Sequence, residues 1–486
     1  MARRGALVLT QPVRAGVVAA YLGELCLPLV AVVAVLLGAA LVDGQLAFAW
    51  HCGAALAVGL PVAIRLLRHP ALEDVRTNEA LVVIALAFLV QALVVAWLFS
   101  AFGLSPLDAL FEAVSAVTTT GLTTLERLAE RPGSFLFARA WVQWYGGLLI
   151  VVLALALLLP PGVAAKRFAE SEMGGEGIVG GTRVRARQML VVYVLLTLAG
   201  IAVVTLSGLS PGEAVMHVFT AISTAGFSTR DASIAGFGWP VQAALMALAI
   251  LGAVSFSVYP RLRMKGPRAV LRDAELWTLL VACVAASLLL AGTMAIAGGH
   301  GWREVAARAP LVALSAQTTT GFESLPVAGL DPASKAVLIG AMLIGGDVGS
   351  TAGGIKVLRF LLLLRLLQIA LLRTAVPRHA VTPLRVAGRA FQPVEVQAML
   401  AVVVLFAATI GVSWFVFLLH GAPPLDALFE VVSATCTTGL SAGLSAPDLA
   451  PALKLVLAAD MWLGRLEIVA VLTLMYPPTW LTRKGA

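Results

Sequence analysis

The chain has 486 residues, of which 60% are hydrophobic and only 12% are charged, and its mean hydropathy is +0.95. A soluble protein of this length carries roughly twice that charged fraction. The apolar residues form long blocks, and blocks of about 18 or more are typical of membrane-spanning helices. The composition therefore excludes an ordinary soluble protein and predicts an all-α polytopic membrane protein.

The net charge of +8 would suggest a nucleic-acid partner in a soluble chain. Here the basic residues are concentrated in alternate loops, and six segments hold 25 of the 34 Lys and Arg residues. The positive-inside rule explains this distribution, so we expect both termini in the cytoplasm, a lipid bilayer around the chain and no nucleic acid. The six segments are residues 1–14, 65–76, 166–187, 261–272, 356–389 and the C-terminal Arg483 and Lys484.

The first apolar block, at about 17–42, is much longer than the roughly 7–15 residues of a signal-peptide core, and we interpret it as a retained helix. A second helix at about 45–67 completes a hairpin within residues 1–77. Four units follow, and each is predicted to contain two apolar spans with a short segment between them, which gives ten full crossings in all. The units are residues 78–165, 184–265, 270–375 and 392–486, with second spans at about 136–160, 238–259, 334–373 and 451–476.

Each unit carries a related motif that ends in a Thr/Ser–Gly cluster. Residues 104–122 read LSPLDALFEAVSAVTTTGL, and residues 422–440 read APPLDALFEVVSATCTTGL. Residues 209–227 and 304–322 align with these two stretches without gaps. Four such matches, each between two apolar spans, indicate four tandem repeats. The glycines that fall at the aligned position are Gly121, Gly226, Gly321 and Gly439.

The segment before each cluster is predicted to be a helix of about 12 residues, which is some 18 Å long and cannot cross a hydrocarbon core of about 30 Å. Its start is well marked in two repeats, where Ser105 and Ser210 are each followed by a proline and, three residues on, by an acid. Each unit is therefore predicted to enter the membrane halfway and return as non-helical backbone. Such backbone is tolerated at membrane depth only inside protein or beside a water-filled cavity.

The clusters are suited to holding a dehydrated monovalent cation. Rings of backbone carbonyls from four loops can replace the hydration shell of the ion, and glycine can turn its carbonyl with dihedrals that other residues avoid. Threonine hydroxyls add oxygens, and the C-terminal dipole of each short helix favours a cation. The sequence therefore predicts an ion-selectivity filter around a central pore. Its residues are Thr118, Thr119, Thr120, Gly121, Ser223, Thr224, Ala225, Gly226, Thr318, Thr319, Thr320, Gly321, Cys436, Thr437, Thr438 and Gly439.

With these motifs the chain resembles the Trk-type potassium transporters, the TrkH/TrkG/KtrB group, over nearly its whole length. The opening helix pair is similar to the TrkH branch, and residues 345–356 (GGDVGSTAGGIK) and 464–468 (GRLEI) look like family signatures. The resemblance implies that K⁺ is transported and bound at the filter, and that no other cofactor is needed. Four filter glycines imply a preference for potassium, whereas Ala225 and Cys436 depart from the threonines of the other loops.

The resemblance also implies partners and a location. Members of the family are controlled by a separate cytosolic ring of nucleotide-binding, TrkA-like subunits, and the membrane subunit is usually a homodimer in the cytoplasmic (inner) membrane of a prokaryote. The cytoplasmic loops here contain no nucleotide-binding fingerprint, which agrees with a separate regulator. The basic segments 166–187 and 261–272 are either docking surfaces for it or charged loops near lipid headgroups.

The stretch from residue 338 to residue 373 is too long for one straight crossing, and its five glycines between 345 and 354 argue against a continuous helix. We expect this break several turns below the filter; in the family the matching segment is an intramembrane loop that blocks the pore. Our hypothesis is a movable gate held by Arg465 through loop carbonyls or Asp347, with a fixed strut as the alternative. Lys356 belongs to the gate or reaches the cytoplasmic interface. The gate residues are Gly345, Gly346, Gly349, Ser350, Thr351, Gly353, Gly354, Lys356 and Arg465.

Four carboxylates near the clusters, Asp108, Glu112, Asp426 and Glu430, could concentrate cations at the outer mouth of the pore. A secondary transporter of a small anionic solute is the alternative function, but it would show inverted or twofold repeats with helix N-termini at the site. A membrane enzyme would need a nucleophile or clustered His and acid side chains, and the six histidines are scattered. The sequence therefore favours potassium conduction and predicts no enzyme activity.

Overall fold

The computed structural model describes residues 12–68, 75–158, 178–299, 301–375 and 384–480. Within these ranges the regular secondary structure is helical, apart from one small antiparallel hairpin of β1 (Arg385–Val386) and β2 (Arg389–Ala390). Much of the predicted basic side lies outside the described residues. This applies to Arg3, Arg4, residues 166–177, Arg378, Arg483 and Lys484.

The chain opens with the predicted hairpin, formed by α1 (Ala15–Val42) and α2 (Leu46–Leu66). Both helices are apolar nearly all round, which is the pattern of a helix surrounded by protein and lipid. In the turn between them, the Asp43 carboxylate accepts a hydrogen bond of 2.8 Å from the N–H of Ser134. The hairpin is thereby attached to the first repeat.

Four units of similar construction follow, and their helices confirm the predicted repeats. Repeat 1 contains α3 (Thr77–Ser100), α4 (Pro106–Val117) and α5 (Gly133–Leu158). Repeat 2 contains α6 (Ile178–Leu206), α7 (Pro211–Ile222), α8 (Trp239–Ala253), α9 (Val258–Lys265) and α10 (Pro267–Val270). Repeat 3 contains α11 (Ala274–Ile296), α12 (Trp302–Gln317), α13 (Pro332–Ile344) and α14 (Val357–Leu372). Repeat 4 contains α15 (Pro393–Leu419), α16 (Pro424–Thr435), α17 (Pro451–Arg465) and α18 (Val469–Met475).

The short helices α4, α7 and α16 have the predicted 12 residues, whereas α12 has 16. The predicted starts of α4 and α7 are confirmed, because Ser105 Oγ accepts the N–H of Asp108 at 3.1 Å and Ser210 Oγ accepts that of Glu213 at 3.4 Å. Most residues of α4, α7 and α16 and half of those of α12 are buried. The surrounding protein, rather than lipid, therefore encloses these half-length elements.

The second spans differ from the prediction. Seven described helices are long and apolar enough to cross a membrane, instead of ten, because the second spans of repeats 2, 3 and 4 are interrupted. In repeat 2, α8 and α9 are bent by 85° at residues 254–257, and in repeat 4 residues 466–468 separate α17 from α18. Only the interruption of repeat 3 was predicted, and those at residues 254–257 and 466–468, within the spans expected at 238–259 and 451–476, were not.

Candidate functional site

All four short helices end in the same way. In repeat 1, Thr118 closes the helix, and the N–H groups of Thr119 and Thr120 bond to the carbonyl oxygens of Ala116 and Ser115. This is the Schellman arrangement, whose left-handed residue is usually glycine. Here that residue is a β-branched threonine with φ between 48° and 54°, a strained conformation of the kind that clusters at functional sites. The four threonines are Thr119, Thr224, Thr319 and Thr437.

The four aligned glycines that follow form a closed ring. Each has a positive φ, from 75° to 93°, and a Cβ added to any of them would lie within 2.2 Å of a backbone oxygen of another repeat. The clusters of all four repeats therefore surround one axis in chain order, with no space for a side chain at the glycines. The contacts run from Gly121 to Ala225 O, from Gly226 to Thr320 O, from Gly321 to Thr438 O and from Gly439 to Thr120 O.

The hydroxyl groups of the clusters are used unequally. In repeats 1 and 3 the first and third residues bond to each other through their hydroxyl oxygens at 2.8 Å, as Thr118 does with Thr120 and Thr318 with Thr320. Within the four clusters, all of which the structure describes, three buried hydroxyl oxygens have no hydrogen-bond partner, those of Thr119, Thr437 and Thr438. A buried polar atom without a partner is rare and points to a missing ligand, such as water or an ion.

The predicted gate region lies directly against the clusters. We call residues 345–356 the repeat 3 loop. The N–H of Gly353 donates to Thr319 Oγ1 at 2.6 Å, and the N–H of Gly354 donates to Cys436 O at 3.1 Å. The Thr351 hydroxyl lies 3.0 Å from the carbonyl oxygen of Ile222, the last residue of α7. The loop thus contacts repeats 2, 3 and 4 at the ring, and the expectation that it lies several turns below the filter is wrong.

The repeat 3 loop also completes the interrupted second span of repeat 2. Irregular backbone at membrane depth needs partners for its N–H and C=O groups, and the loop supplies them through three backbone hydrogen bonds of 3.0–3.1 Å. No local pattern in the sequence indicates this pairing, because the two segments are about 100 residues apart. The bonds run from Thr351 N to Gly252 O, from Asp347 N to Ala253 O and from Phe256 N to Gly349 O.

Arg465 ends α17 and is buried, with only 5% of the residue exposed. Its Nη1 donates a hydrogen bond of 2.8 Å to the carbonyl oxygen of Thr351. Of the two partners predicted for Arg465, the structure therefore places the loop backbone in contact with it. The Asp347 carboxylate instead accepts from the N–H of Ser255 at 3.4 Å.

Two further cations lie at the end of the repeat 3 loop. Lys356 does not reach toward the membrane interface, because its Nζ turns back to donate to the carbonyl oxygen of Ala352 within the loop. Arg359, in the first turn of α14, forms an ion pair with Glu467 of repeat 4. The loop is therefore joined to the interruption of repeat 4 on both sides of residue 466, by Arg465 and by Glu467.

The carboxylates expected at the outer mouth are all engaged. Three of them pair with a cation: Asp108 with Lys454 at 2.7 Å, Asp426 with Lys335 at 2.7 Å and Glu112 with Arg139 at 3.1 Å. The fourth, Glu430, accepts hydrogen bonds from the N–H groups of Ala442 and Leu444 at 3.0 and 3.1 Å. Glu112 and Glu430 thus hold the loops that follow the clusters, and Asp108 and Asp426 join short helices to second spans. The effect of these four carboxylates on cations at the outer mouth stays a prediction.

One carboxylate that was not predicted lies beside the ring. Glu323 follows Gly321 by two residues, and the N–H of Ser441 lies 3.4 Å from its Oε1. The aligned positions of the other repeats hold Thr123, Ser228 and Ser441, so a residue-by-residue comparison of the repeats would have found Glu323.

The second spans contain a further equivalent glycine that was not predicted. A Cβ added to Gly146, Gly252 or Gly464 would lie within 2.5 Å of the carbonyl oxygen of the last residue of the short helix in the same repeat. Gly345 occupies the same position in repeat 3, where its carbonyl accepts from Gln317 Nε2 at 2.8 Å. These glycines allow each second span to approach the end of its short helix closely. They follow the filter glycine of their repeat by 24 to 26 residues, so the alignment without gaps does not bring them together.

Comparison with known proteins decides the family. The sequence profile of TrkH, described as a cation transport protein, matches residues 68–275 and 302–478. The chain belongs to the TrkH family. It is therefore related to cation transporters rather than to enzymes, as predicted from the absence of a catalytic cluster in the sequence.

Individual relatives agree with the TrkH assignment. The Trk system potassium uptake protein TrkH of Escherichia coli is 31% identical over 397 residues, which cover 77% of this chain and 79% of that protein. An uncharacterised cation transporter of Methanocaldococcus jannaschii is 29% identical over 412 residues, 83% of each chain. The crystal structure of the potassium transporter TrkH from Vibrio parahaemolyticus has a TM-score of 0.83 and 27% identity, and covers 95% of this chain and 99% of that one. The predicted fold class and the resemblance to the TrkH branch are confirmed.

Proposed function

We propose that this TrkH-family protein mediates potassium uptake through a filter formed by the four Thr/Ser–Gly clusters. The observation that carries the proposal is the closed ring, in which each filter glycine packs against a backbone oxygen of another repeat. Relatives with the same fold are named as potassium uptake proteins, and this supports K⁺ as the transported ion.

The chemistry of the ring fits a weakly hydrated cation. Backbone oxygens from four loops can replace water around the ion, and all four short helices direct their negative C-terminal ends at the ring. The unpartnered hydroxyls of Thr119, Thr437 and Thr438 add neutral oxygens at the same level. The alternative function, transport of a small anion, is disfavoured because it requires the positive N-terminal helix ends at the site.

The repeat 3 loop is proposed as the gate. It bonds to Thr319 Oγ1 and Cys436 O on one side and to the interrupted span of repeat 2 on another. Arg465 holds it from repeat 4 through Thr351 O, at a depth where a charged side chain is costly and is generally functional. We propose that the loop closes the pore in this position and that conduction requires it to move away from the ring.

We propose that a separate cytosolic ring of nucleotide-binding, TrkA-like subunits regulates this protein. We also propose that the membrane subunit is a homodimer in the inner membrane of a prokaryote, with both termini in the cytoplasm. These proposals rest on family membership. On the side predicted to be cytoplasmic, Arg263, Lys265 and Arg268 are exposed around α9 and α10, which supports this segment as a docking surface.

The filter proposal is tested by uptake into liposomes. Purified protein is reconstituted in vesicles loaded with potassium, and the entry of radioactive rubidium is followed with sodium, potassium or a neutral amino acid as competitor. We expect uptake that potassium suppresses and the amino acid does not. Rubidium uptake that the amino acid suppresses as strongly as potassium does, or rubidium uptake equal to that of vesicles without protein, would exclude the proposal.

The gate is tested separately by single-channel recording or flux after Arg465→Ala. The loss of the bond to Thr351 should raise potassium flux in the absence of a regulator, and Arg465→Lys, which retains the charge and one donor, should raise it less. Arg303→Ala is the control, because Arg303 lies over the Trp302 ring, away from the loop. Equal flux in wild type and folded Arg465→Ala would favour the fixed strut over the gate.

A further inference from the structure

One side chain outside the clusters bonds directly to the filter backbone. Gln143 lies in α5 of repeat 1 and is completely buried. Its Nε2 donates to the carbonyl oxygen of Ala225 at 3.0 Å, and its Oε1 accepts from the N–H of Phe227 at 3.2 Å. The two bonds enclose Gly226. The amide orientation is fixed, because a reversed amide would place two donors together and two acceptors together.

The filter strand bound by Gln143 is the only one of the four without a hydroxyl at its third cluster position; repeat 4 has Thr438 there, but its first residue is Cys436 and the Thr438 hydroxyl has no partner among the described residues. In repeats 1 and 3, the hydroxyl of the third cluster residue bonds to the hydroxyl of the first at 2.8 Å. Repeat 2 has Ala225 at the third position and lacks this hydroxyl, while its first residue, Ser223, donates to Phe219 O at 2.7 Å. The amide of Gln143 therefore supplies, from the neighbouring repeat, a restraint like the one that the hydroxyl pair supplies in repeats 1 and 3.

Gln143 also breaks the fourfold pattern of the second spans. It precedes the second-span glycine Gly146 by three residues, and the same position holds Ala249, Met342 and Met461 in the other repeats. All three of these side chains are buried and apolar. An amide is therefore not a general requirement of the second span, and its presence only beside Ala225 points to a specific role.

We propose that Gln143 is a positioning residue for ion selectivity: it fixes the direction of the Ala225 carbonyl and so keeps the ring at the size that suits potassium. Ala225 O is the oxygen that packs against Gly121, so a rotation of this peptide would disturb the contact between repeats 1 and 2. Sodium, being smaller, needs shorter contacts to oxygen. A repeat 2 filter strand released from Gln143 should therefore lose its discrimination between potassium and sodium before it loses conduction.

This inference rests on the proposed function, and its test starts from wild-type protein that takes up rubidium. Gln143→Leu is measured for rubidium uptake in competition with sodium and with potassium. We expect the preference for potassium over sodium to fall about tenfold, which corresponds to the loss of roughly 1.4 kcal/mol of hydrogen bonding. Gln91→Leu is the matched control, because Gln91 is equally buried and neither polar atom of its amide has a partner within the described chain.

Gln143→Leu combined with Ala225→Thr tests the mechanism. The hydroxyl of Thr at position 225 would lie next to that of Ser223, as the hydroxyl of Thr320 lies next to that of Thr318. The preference for potassium over sodium should therefore recover at least in part. For each protein, the rise in unfolding temperature caused by potassium relative to sodium gives a second readout that needs no transport. Unchanged selectivity in folded Gln143→Leu, an equal loss in Gln91→Leu, or no recovery in the folded double variant would overturn the inference. Absence of rubidium uptake by wild type would instead refute the filter itself.

Discussion

The ring can be tested by comparing two glycines that have the same backbone conformation. Gly226 and Gly103 both have φ of +75°, so alanine brings the same left-handed strain to each, about 1–2 kcal/mol. The surroundings differ. A Cβ on Gly226 would lie 2.0 Å from Thr320 O, whereas a Cβ on Gly103 meets nothing within 4 Å. Any additional effect of Gly226→Ala therefore measures the contact between repeats 2 and 3.

The size of that additional effect follows from the distance. Ordinary contact begins near 3.4 Å, so the strands around Gly226 must separate by about 1.4 Å. Overpacking of this kind costs roughly 1–3 kcal/mol, which corresponds to a loss of about five- to 150-fold if it falls on the conducting state. Rubidium uptake into liposomes should fall by that factor in Gly226→Ala and change little in Gly103→Ala. Equal uptake by the two folded variants would show that the glycines do not line the ion path.

Three other predictions concern the groups that hold the mouth of the pore, each measured as a change in unfolding temperature in detergent. Arg139→Met leaves the buried Glu112 carboxylate without its cation and should lower the free energy of unfolding by about 3–5 kcal/mol. Adding Glu112→Gln to the same protein should restore most of this stability. Glu430→Gln replaces a carboxylate that accepts hydrogen bonds from several N–H and O–H groups, and it should lower the free energy of unfolding by about 2 kcal/mol. Lys454→Met should cost only about 1 kcal/mol, because Asp108 stays partly exposed. A larger loss for Lys454→Met than for Arg139→Met would contradict this ranking.

Local signals in the sequence were sufficient for the elements that enclose the site. The serine caps at Ser105 and Ser210 and the prolines after them fixed the starts of two short helices, since capping depends on neighbouring residues alone. The four glycines could be aligned because the repeats retain the same spacing. Their closure into a ring follows from the same symmetry, as four equivalent units around an axis bring equivalent residues together.

Contacts between distant segments could not be predicted in the same way. Lys454 and Asp108 are 346 residues apart, and in the sequence Asp108 appeared as an unpaired charge available to ions. The interruption of repeat 2 at residues 254–257 contains no glycine or proline, which are the usual local signs of a helix break. It is stabilised by backbone partners in the repeat 3 loop, so its cause lies in the tertiary structure.

The same contacts bring the proposed gate and the proposed filter into one structure. A Cβ on Gly353 would lie 1.9 Å from Cys436 O, so the loop lies against the filter backbone with no intervening layer. Withdrawal of the loop would break its bonds to Thr319 Oγ1 and Cys436 O, and would also remove the partners of the interrupted span of repeat 2. Because unpaired backbone groups are costly at this depth, the span of repeat 2 must rearrange together with the loop. Opening would therefore change two repeats at once and alter the inner residues of the filter that it uncovers.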